Sequence, residues 1–182
     1  MATLILLAIA GLILWGAAKT ALWALGEDAE RKTEKAVVTE VIDGDSLIVK
    51  TREGKTLEVR LEGIDAPEVG QAGGEGAKDL MEALVEGEAI TLSTAEPEPE
   101  KDIYGRTLAK IGHQNEDLGE EMVERGGAWA VDENLEDEQD RAKNQGKGIW
   151  KNREWSKTPP WEFRKTKGPK TPQTGPTLDD FR

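Results

Sequence analysis

The sequence predicts an α+β fold that is mainly β: a small barrel of five short strands with three helices, preceded by an N-terminal hydrophobic helix. Three observations carry this prediction. Residues 36–64 alternate apolar and polar side chains around Asp-Gly and Glu-Gly turns, which is typical of β-hairpins. Apolar residues recur at helical spacing further along the chain, and an almost continuous apolar run stands at the N-terminus.

The elements follow in a simple order. Strands are predicted at 37–42, 46–51, 56–64, 89–92 and 107–111, and helices at 77–86, 118–125 and 135–145. In the third strand Leu57, Val59 and Leu61 alternate with polar residues, so Arg60 should lie on the face opposite the core. The chain therefore divides into an apolar segment at 1–25, a polar linker or stalk at 26–35, the barrel domain at 36–151 and a tail at 152–182.

Composition limits the chemistry. The 182 residues include no cysteine and a single histidine, His113, which excludes disulfides, thiolate metal sites and histidine-rich sites. Hydrolytic chemistry would have to use carboxylates and a cation. The net charge is −12, but residues 141–182 hold 11 Lys and Arg against 4 Asp and Glu. Within this stretch, residues 152–182 form a basic, Pro-rich tail that lacks periodicity and is predicted to be disordered, although 159–163 could pack back onto the domain.

Three short motifs bring acidic and basic residues together. They are Asp43-Gly44-Asp45-Ser46, then Arg60 with Ile64-Asp65-Ala66-Pro67-Glu68, then Asp102-Ile103-Tyr104-Gly105-Arg106. Taken singly, each is most often a turn, a loop entry or a surface ion pair. Taken together, carboxylates can ligate a divalent cation and two arginines can grip an anionic phosphate, as phosphodiester cleavage requires.

In this order, the motifs resemble the staphylococcal nuclease (thermonuclease) family, from about residue 37 to residue 150. Met122-Val123-Glu124-Arg125-Gly126 and Gly146-Lys147-Gly148-Ile149-Trp150 add to the resemblance. It implies a five-stranded OB-fold barrel with three helices, which agrees with the element count. It also implies a calcium-dependent nuclease that hydrolyses phosphodiester bonds of DNA and RNA with low sequence specificity. A family member without catalysis, an OB module that binds nucleic acid or a protein partner, is the alternative.

The resemblance also assigns roles. Asp45, Asp65 and the backbone carbonyl of Ala66 would ligate one calcium ion (Ca²⁺), with Asp43 just outside the ligand set. Glu68 would activate or orient the attacking water, and no small-molecule cofactor is expected. Arg60 and Arg106 would grip the phosphate of the substrate, and Tyr104 would contact the phosphate or the edge of the sugar.

The sequence departs from the family pattern at the substrate side. Ile103 stands where the staphylococcal enzyme has a lysine, and Ala128-Trp129-Ala130 replaces a pair of base-stacking tyrosines. Trp129 is therefore either a stacking platform or a core residue. Because the body of the protein is acidic, single strands or frayed ends are the expected substrates rather than tightly held duplex.

The N-terminal segment is predicted to contact a membrane through residues 4–25, which are close to the length that spans a bilayer. Trp15 and Trp23 suit an interfacial position. A membrane anchor is favoured, with the catalytic domain on the extracytoplasmic side, as in exported nucleases, although Lys19 and later basic residues favour the cytoplasm by the positive-inside rule. The alternative is a secreted enzyme, cleaved after Gly16-Ala17-Ala18.

Overall fold

The computed structural model describes residues 30–166 and 175–182. Residues 31–166 and 175–182 belong to one compact unit. The predicted membrane segment at 4–25 lies outside the described residues. Within residues 30–166 and 175–182, no helix has the length and apolar character needed to cross a membrane.

Five long strands form a closed barrel, as the alternation of apolar residues predicts. They are β1 (Arg31–Asp43), β2 (Ser46–Thr51), β3 (Thr56–Leu61), β5 (Ala89–Ala95) and β6 (Thr107–His113). Neighbouring strands pair antiparallel in the order β3-β2-β1-β5-β6. A parallel pair between β3 and β6, with Arg60 opposite Leu108, closes the barrel. Closure gives hydrogen-bond partners to backbone N–H and C=O groups that an open sheet would leave unpaired at its edges. The predicted five-stranded, OB-type barrel is confirmed.

Three short strands fill the corners: β4 (Ile64–Asp65), β7 (Glu116–Asp117) and β8 (Trp129–Ala130). The strand predicted at 56–64 is thus interrupted after Leu61. Gly63 adopts a positive φ of 78°, which turns the chain and sends Ile64 and Asp65 to pair with β8 rather than with the barrel. This corner carries Asp65 out of the regular ladder of β3.

The three predicted helices are present as α1 (Gly74–Val85), α2 (Leu118–Glu124) and α3 (Glu136–Gln145). Helix α1 packs against β1 and buries Leu80, Met81 and Val85, the apolar positions that the helical spacing marks. The N-terminus of α2 is capped by Asp117, whose carboxylate accepts hydrogen bonds from the backbone N–H groups of Gly119 and Glu120. Helix α3 ends at Gly146, which has a left-handed φ of 63°.

The core lies inside the barrel and continues beneath α1 and α2. Its fully buried side chains come from every long strand and from the first two helices; they include Leu47, Val49, Val59, Ile90, Leu92, Ile111, Leu118 and Met122. Burying side chains of this size contributes about 1.5–3 kcal/mol each relative to exposure in water. The core therefore holds both ends of the loops that carry the acidic motifs.

The predicted polar linker is partly a strand. Residues 31–35 extend β1 and pair with β5, from Arg31 opposite Ala95 to Lys35 opposite Thr91. The guanidinium of Arg31 also contacts Glu62 at 3.0 Å and donates to the Ser93 hydroxyl at 3.0 Å. The polar side chains of this stretch predicted a linker. A strand whose two faces both contact solvent does not need alternating apolar residues, so the sequence pattern gave no sign of it.

The tail also differs from the disorder that its composition predicts, in the parts that the structure describes. Residues 160–163 form a short helix, α4 (Pro160–Phe163), with Pro160 buried. Residues 178–181 form a 3₁₀ turn that places Phe181 in the core, fully buried. Gly76 and Gly148 make room for its ring, because a Cβ at either position would come within 2.8 Å of the Phe181 ring atoms. One aromatic anchor thus orders a segment that is polar on average.

Phe181→Ala should lower the free energy of unfolding by about 3–5 kcal/mol, because it leaves a cavity beneath α1. Urea unfolding followed by circular dichroism measures the change. Arg182→Ala is the matched control: its ion pair with Asp179 is exposed on both sides, so we expect a change within about 0.5 kcal/mol. Equal, small effects from both substitutions would contradict the packing of the tail described above.

Candidate active site

The first acidic motif lies in the tight turn between β1 and β2. The carboxylate of Asp43 accepts a hydrogen bond from the backbone N–H of Asp45 at 3.0 Å, which holds the turn. Gly44 is required here by close packing, since a Cβ would lie 2.8 Å from the Cβ atoms of both Ala66 and Ala77. The turn is therefore pressed against the second motif and α1, and its two aspartates are held in place.

Arg60 joins the first two motifs. From β3, its Nη1 contacts Asp45 Oδ2 at 3.0 Å and its Nη2 contacts Asp65 Oδ1 at 2.9 Å. The same guanidinium donates to the backbone carbonyls of Leu61 and Ile64. The side chains of Asp45, Asp65 and Arg60 are only 7%, 5% and 14% exposed. The guanidinium of Arg60 thus bridges two aspartates that are 20 positions apart in sequence.

Asp45 is surrounded by further donors. Its Oδ2 accepts from the backbone N–H of Ala66 at 2.7 Å, and its Oδ1 accepts from the Ser46 hydroxyl at 2.9 Å. Burial raises the pKa of Asp45 to about 7, against the lowering effect of Arg60, and the nearby charge of Asp43 adds to the rise. Burial therefore disfavours the ionised form of Asp45 more than Arg60 favours it.

Arg106 reaches the same place from the start of β6. Its Nη1 donates to the Ser46 hydroxyl at 2.9 Å, and its Nε contacts Asp102 Oδ2 at 2.7 Å. Burial opposes ionisation of Asp102, but the hydrogen bonds from Arg106 lower the pKa of that carboxyl. The guanidinium also lies 5.4 Å from the ring centre of Tyr104, which is 72% exposed at the rim. The third motif is thus brought to the first through Ser46.

Glu68 lies on the loop after Asp65 and is held at its backbone by Gln71, whose side-chain oxygen accepts from the Glu68 N–H at 3.1 Å. Its carboxylate meets a residue that sequence reasoning missed. Arg164, just after α4, places Nη1 2.5 Å from Glu68 Oε1 and Nη2 2.7 Å from Asp65 Oδ2. The hydrogen bond to Asp65 is the largest of the effects that raise the pKa of Arg164.

These groups line one open cleft of about 720 Å³. Asp45, Arg60, Glu68, Arg106 and Arg164 all contribute to it, and its other lining residues include Asp43, Ala66, Glu100, Ile103 and Tyr104. Ile103 is 92% exposed, so the lining of the cleft is partly apolar. Asp65 lies beneath, tied to Arg60 and Arg164. The predicted residues of the three motifs therefore converge.

Trp129 does not join this cleft. It is buried, and its ring packs edge-on against Trp150 with centres 5.3 Å apart. A base cannot stack on a ring whose faces are covered by protein, so the stacking role considered for Trp129 is corrected to that of a core residue. Its position on β8, paired with Asp65, gives it a structural part in supporting the site.

The donors fit a hard divalent cation in chemistry. Asp45 and Asp65 offer carboxylate oxygens, which Ca²⁺ and Mg²⁺ prefer as ligands. Both carboxylates contact the single guanidinium of Arg60, so one positive group can pair with both of them. Among residues 30–166 and 175–182, however, no three acidic or histidine side chains are arranged to hold a metal ion. The guanidinium of Arg164 instead contacts the carboxylates of both Asp65 and Glu68.

Comparisons with known proteins agree with this geometry. The profile of the family described as staphylococcal nuclease homologue matches residues 58–152. An "uncharacterized endonuclease" of Haemophilus influenzae is 35% identical over 125 residues, 66% of this chain and 68% of that protein. The thermonuclease of Staphylococcus hyicus is 32% identical over 139 residues, 69% of this chain and 79% of that protein. A micrococcal nuclease of Shigella flexneri is 31% identical over 70% of this chain and 79% of its own length. The chain belongs to the staphylococcal nuclease homologue family.

Proposed function

We propose that this protein, a nuclease that hydrolyses phosphodiester bonds, uses a calcium ion and cleaves DNA and RNA with little sequence preference. One observation carries the proposal: Asp45, Glu68, Arg60 and Arg106 line one cleft, and Asp65 is tied to the same Arg60 guanidinium. The catalytic set is complete, which favours catalysis over the alternative of a non-catalytic binding module. The family is one of metal-dependent nucleases, and the choice of calcium rests on the hard oxygen donors.

In this proposal Asp45 and Asp65 hold the cation, with Asp43 adding negative charge just outside. A bound divalent cation would neutralise phosphate oxygens and make the scissile phosphorus more electrophilic. The chain's own residues do the rest. Glu68, at the solvent-facing side of the cleft, orients the attacking water and accepts its proton. Arg60 holds both Asp45 and Asp65, and the backbone N–H of Ala66 also holds Asp45, so the binding geometry is set before substrate arrives.

The two motif arginines stabilise the charge that develops on the phosphate. Arg106 is supported by Asp102 on its Nε and by Ser46 on Nη1, which leaves its Nη2 free of hydrogen bonds to the described residues. Arg60 is supported by two backbone carbonyls and faces the cleft. Guanidinium groups held in this way act where negative charge grows, and they recognise phosphate rather than bases. Low sequence specificity follows from those contacts.

Several features favour single strands or frayed ends as substrates. The exposed side chains of Tyr104 and Ile103 stand at the rim of the cleft, where unpaired bases can stack or pack. The body of the protein is acidic, which opposes the close approach of a duplex over a wide surface. A single strand needs only the local positive groups of the cleft.

Removing the metal is the direct test of the proposed function. Excess chelator should abolish cleavage of a single-stranded DNA by the full chain, and added Ca²⁺ should restore it. Asp45→Asn should raise the Ca²⁺ concentration needed for half-maximal rate, because it removes a charged ligand from a buried position. Full activity in chelator, measured by release of labelled nucleotides, would rule out this function.

Glu68→Gln should lower kcat about 100-fold with little change in KM, because a group that acts on the transition state is lost while binding groups stay. Steady-state kinetics on single-stranded DNA measures both constants. Glu100→Gln is the matched control, since Glu100 lines the same cleft without an ion-pair partner among the described residues. Comparable losses of kcat in both variants would assign the effect to the charge of the cleft rather than to Glu68.

We also propose that residues 4–25 tether the enzyme to a membrane, with the catalytic domain on the extracytoplasmic side. The basic residues 31, 32 and 35, which the positive-inside rule counts, belong to strand β1 of the folded domain. The rule applies to short loops near a membrane span and weakly to folded domains that are translocated. These charges therefore do not oppose export. Secretion after cleavage is the second candidate.

N-terminal sequencing of the protein from membrane and soluble fractions distinguishes the two. A tethered enzyme should start at Met1 or Ala2 and require detergent for extraction, because an apolar run of about bilayer length stays in the membrane. A first residue of Lys19 in the soluble fraction would mean cleavage after Ala18 and would contradict the tether.

A further inference from the structure

We propose that Arg164 is an internal competitor of the metal ion: it docks on Asp65 and Glu68 and must leave them before the cation binds. The inference rests on the metal dependence proposed above. It concerns a residue of the tail, outside the three motifs, and makes the C-terminal segment a regulator of metal affinity.

The contacts of Arg164 use the positions that a cation needs. Its Nη2 lies 2.7 Å from Asp65 Oδ2, and its Nη1 lies 3.1 Å from Asp65 Oδ1 and 2.5 Å from Glu68 Oε1. Asp65 Oδ1 already accepts from Arg60 at 2.9 Å, so both of its lone pairs are engaged. A bidentate guanidinium and a divalent cation cannot occupy the same side of one carboxylate. Docking of Arg164 and binding of the ion therefore exclude each other.

Arg164 is delivered by a segment that packs on the domain. The side chain of Gln71 donates to the backbone carbonyl of Thr158 at 2.7 Å, and Pro160 is buried. The N–H groups of Glu162 and Phe163 bond to the carbonyl of Pro159, which forms the turn leading to Arg164. Tethering of this kind holds the arginine near the carboxylates at high effective concentration. The contact is thus built into the fold.

Arg60 and Arg164 differ in how easily they leave. Arg60 extends from a barrel strand, is 14% exposed and is also bound to two backbone carbonyls. The Arg164 side chain is 40% exposed, and its ion pairs among the described residues are those with Asp65 and Glu68. Because Asp65 is only 5% exposed, its carboxylate needs a positive partner, but the solvent-accessible guanidinium can be exchanged there for another cation. Arg164 is therefore the group that the cation displaces.

The consequence is a lowered apparent affinity for metal. If the arginine is docked for about nine-tenths of the time, the apparent Kd of the ion is about tenfold higher than that of the open site. Metal binding would also release Glu68 for its part in the reaction. The tail thereby couples ion concentration to the availability of the catalytic carboxylate.

Isothermal titration of CaCl₂ into the full chain in non-ionic detergent, without nucleic acid, tests this inference. Arg164→Ala should lower the Kd of Ca²⁺ about tenfold. Lys165→Ala is the matched control: it removes the same charge from the adjacent, exposed residue. Its Kd should stay within about twofold of the wild-type value, because long-range charge effects are screened by salt.

An equal Kd in the wild type and Arg164→Ala, or the same decrease in both variants, would overturn the inference and leave the proposed function intact. Weaker Ca²⁺ binding by Arg164→Ala would also overturn it and would make Arg164 a positioning residue. An increase in the KM for DNA with an unchanged Kd would make it a substrate ligand instead. Absence of Ca²⁺ binding in every form, with activity in chelator, would overturn both proposals.

A second measurement needs no variant and decides the matter if Arg164→Ala does not fold. Trypsin cleaves after arginine only where the chain can leave its docked position. Ca²⁺ should speed cleavage after Arg164 several-fold, as identified by mass spectrometry, and leave cleavage after Lys55 unchanged. No acceleration after Arg164 at saturating Ca²⁺ would overturn the inference.

Discussion

The shared contact of Arg60 with Asp45 and Asp65 is the interaction on which the site depends. It joins the β1–β2 turn to the corner after β3, and all three side chains are nearly excluded from water. Removing the arginine would leave two buried carboxylates close together, at a cost of several kcal/mol. The backbone N–H of Ala66 and the Ser46 hydroxyl complete the arrangement. The geometry of the acidic floor is therefore a property of the folded barrel.

Barrel closure explains why two distant arginines meet. The parallel pairing of β3 with β6 sets Arg60 opposite Leu108, two residues after Arg106. Ser46 then links Arg106 to Asp45, since its hydroxyl accepts from the guanidinium and donates to the carboxylate. One hydroxyl in this way connects the arginine of the third motif to the aspartate of the first.

The tail brings a second guanidinium, that of Arg164, to the acidic site beside Arg60. Its two described parts are anchored separately, by Pro160 and the Gln71–Thr158 hydrogen bond and by Phe181 in the core. Composition alone predicted disorder for this segment, because its apolar residues are few and without period. Burial of single side chains into gaps left by Gly76 and Gly148 is a matter of shape, which no periodicity encodes. The same reasoning explains why Arg164 could not be found in advance: it belongs to no motif and lies 99 positions from Asp65.

The sequence by itself determined the five strands, the three helices and the three motifs, because alternation, helical spacing and turn residues are local signals. It also limited the chemistry, since a chain without cysteine and with one histidine can form neither a thiolate site nor a histidine-rich site. Tertiary structure decided the rest. It extended β1 back to Arg31, buried Trp129 against Trp150 and brought Arg164 onto Asp65 and Glu68. Each of these depends on contacts between residues far apart in the chain, which only packing in three dimensions selects.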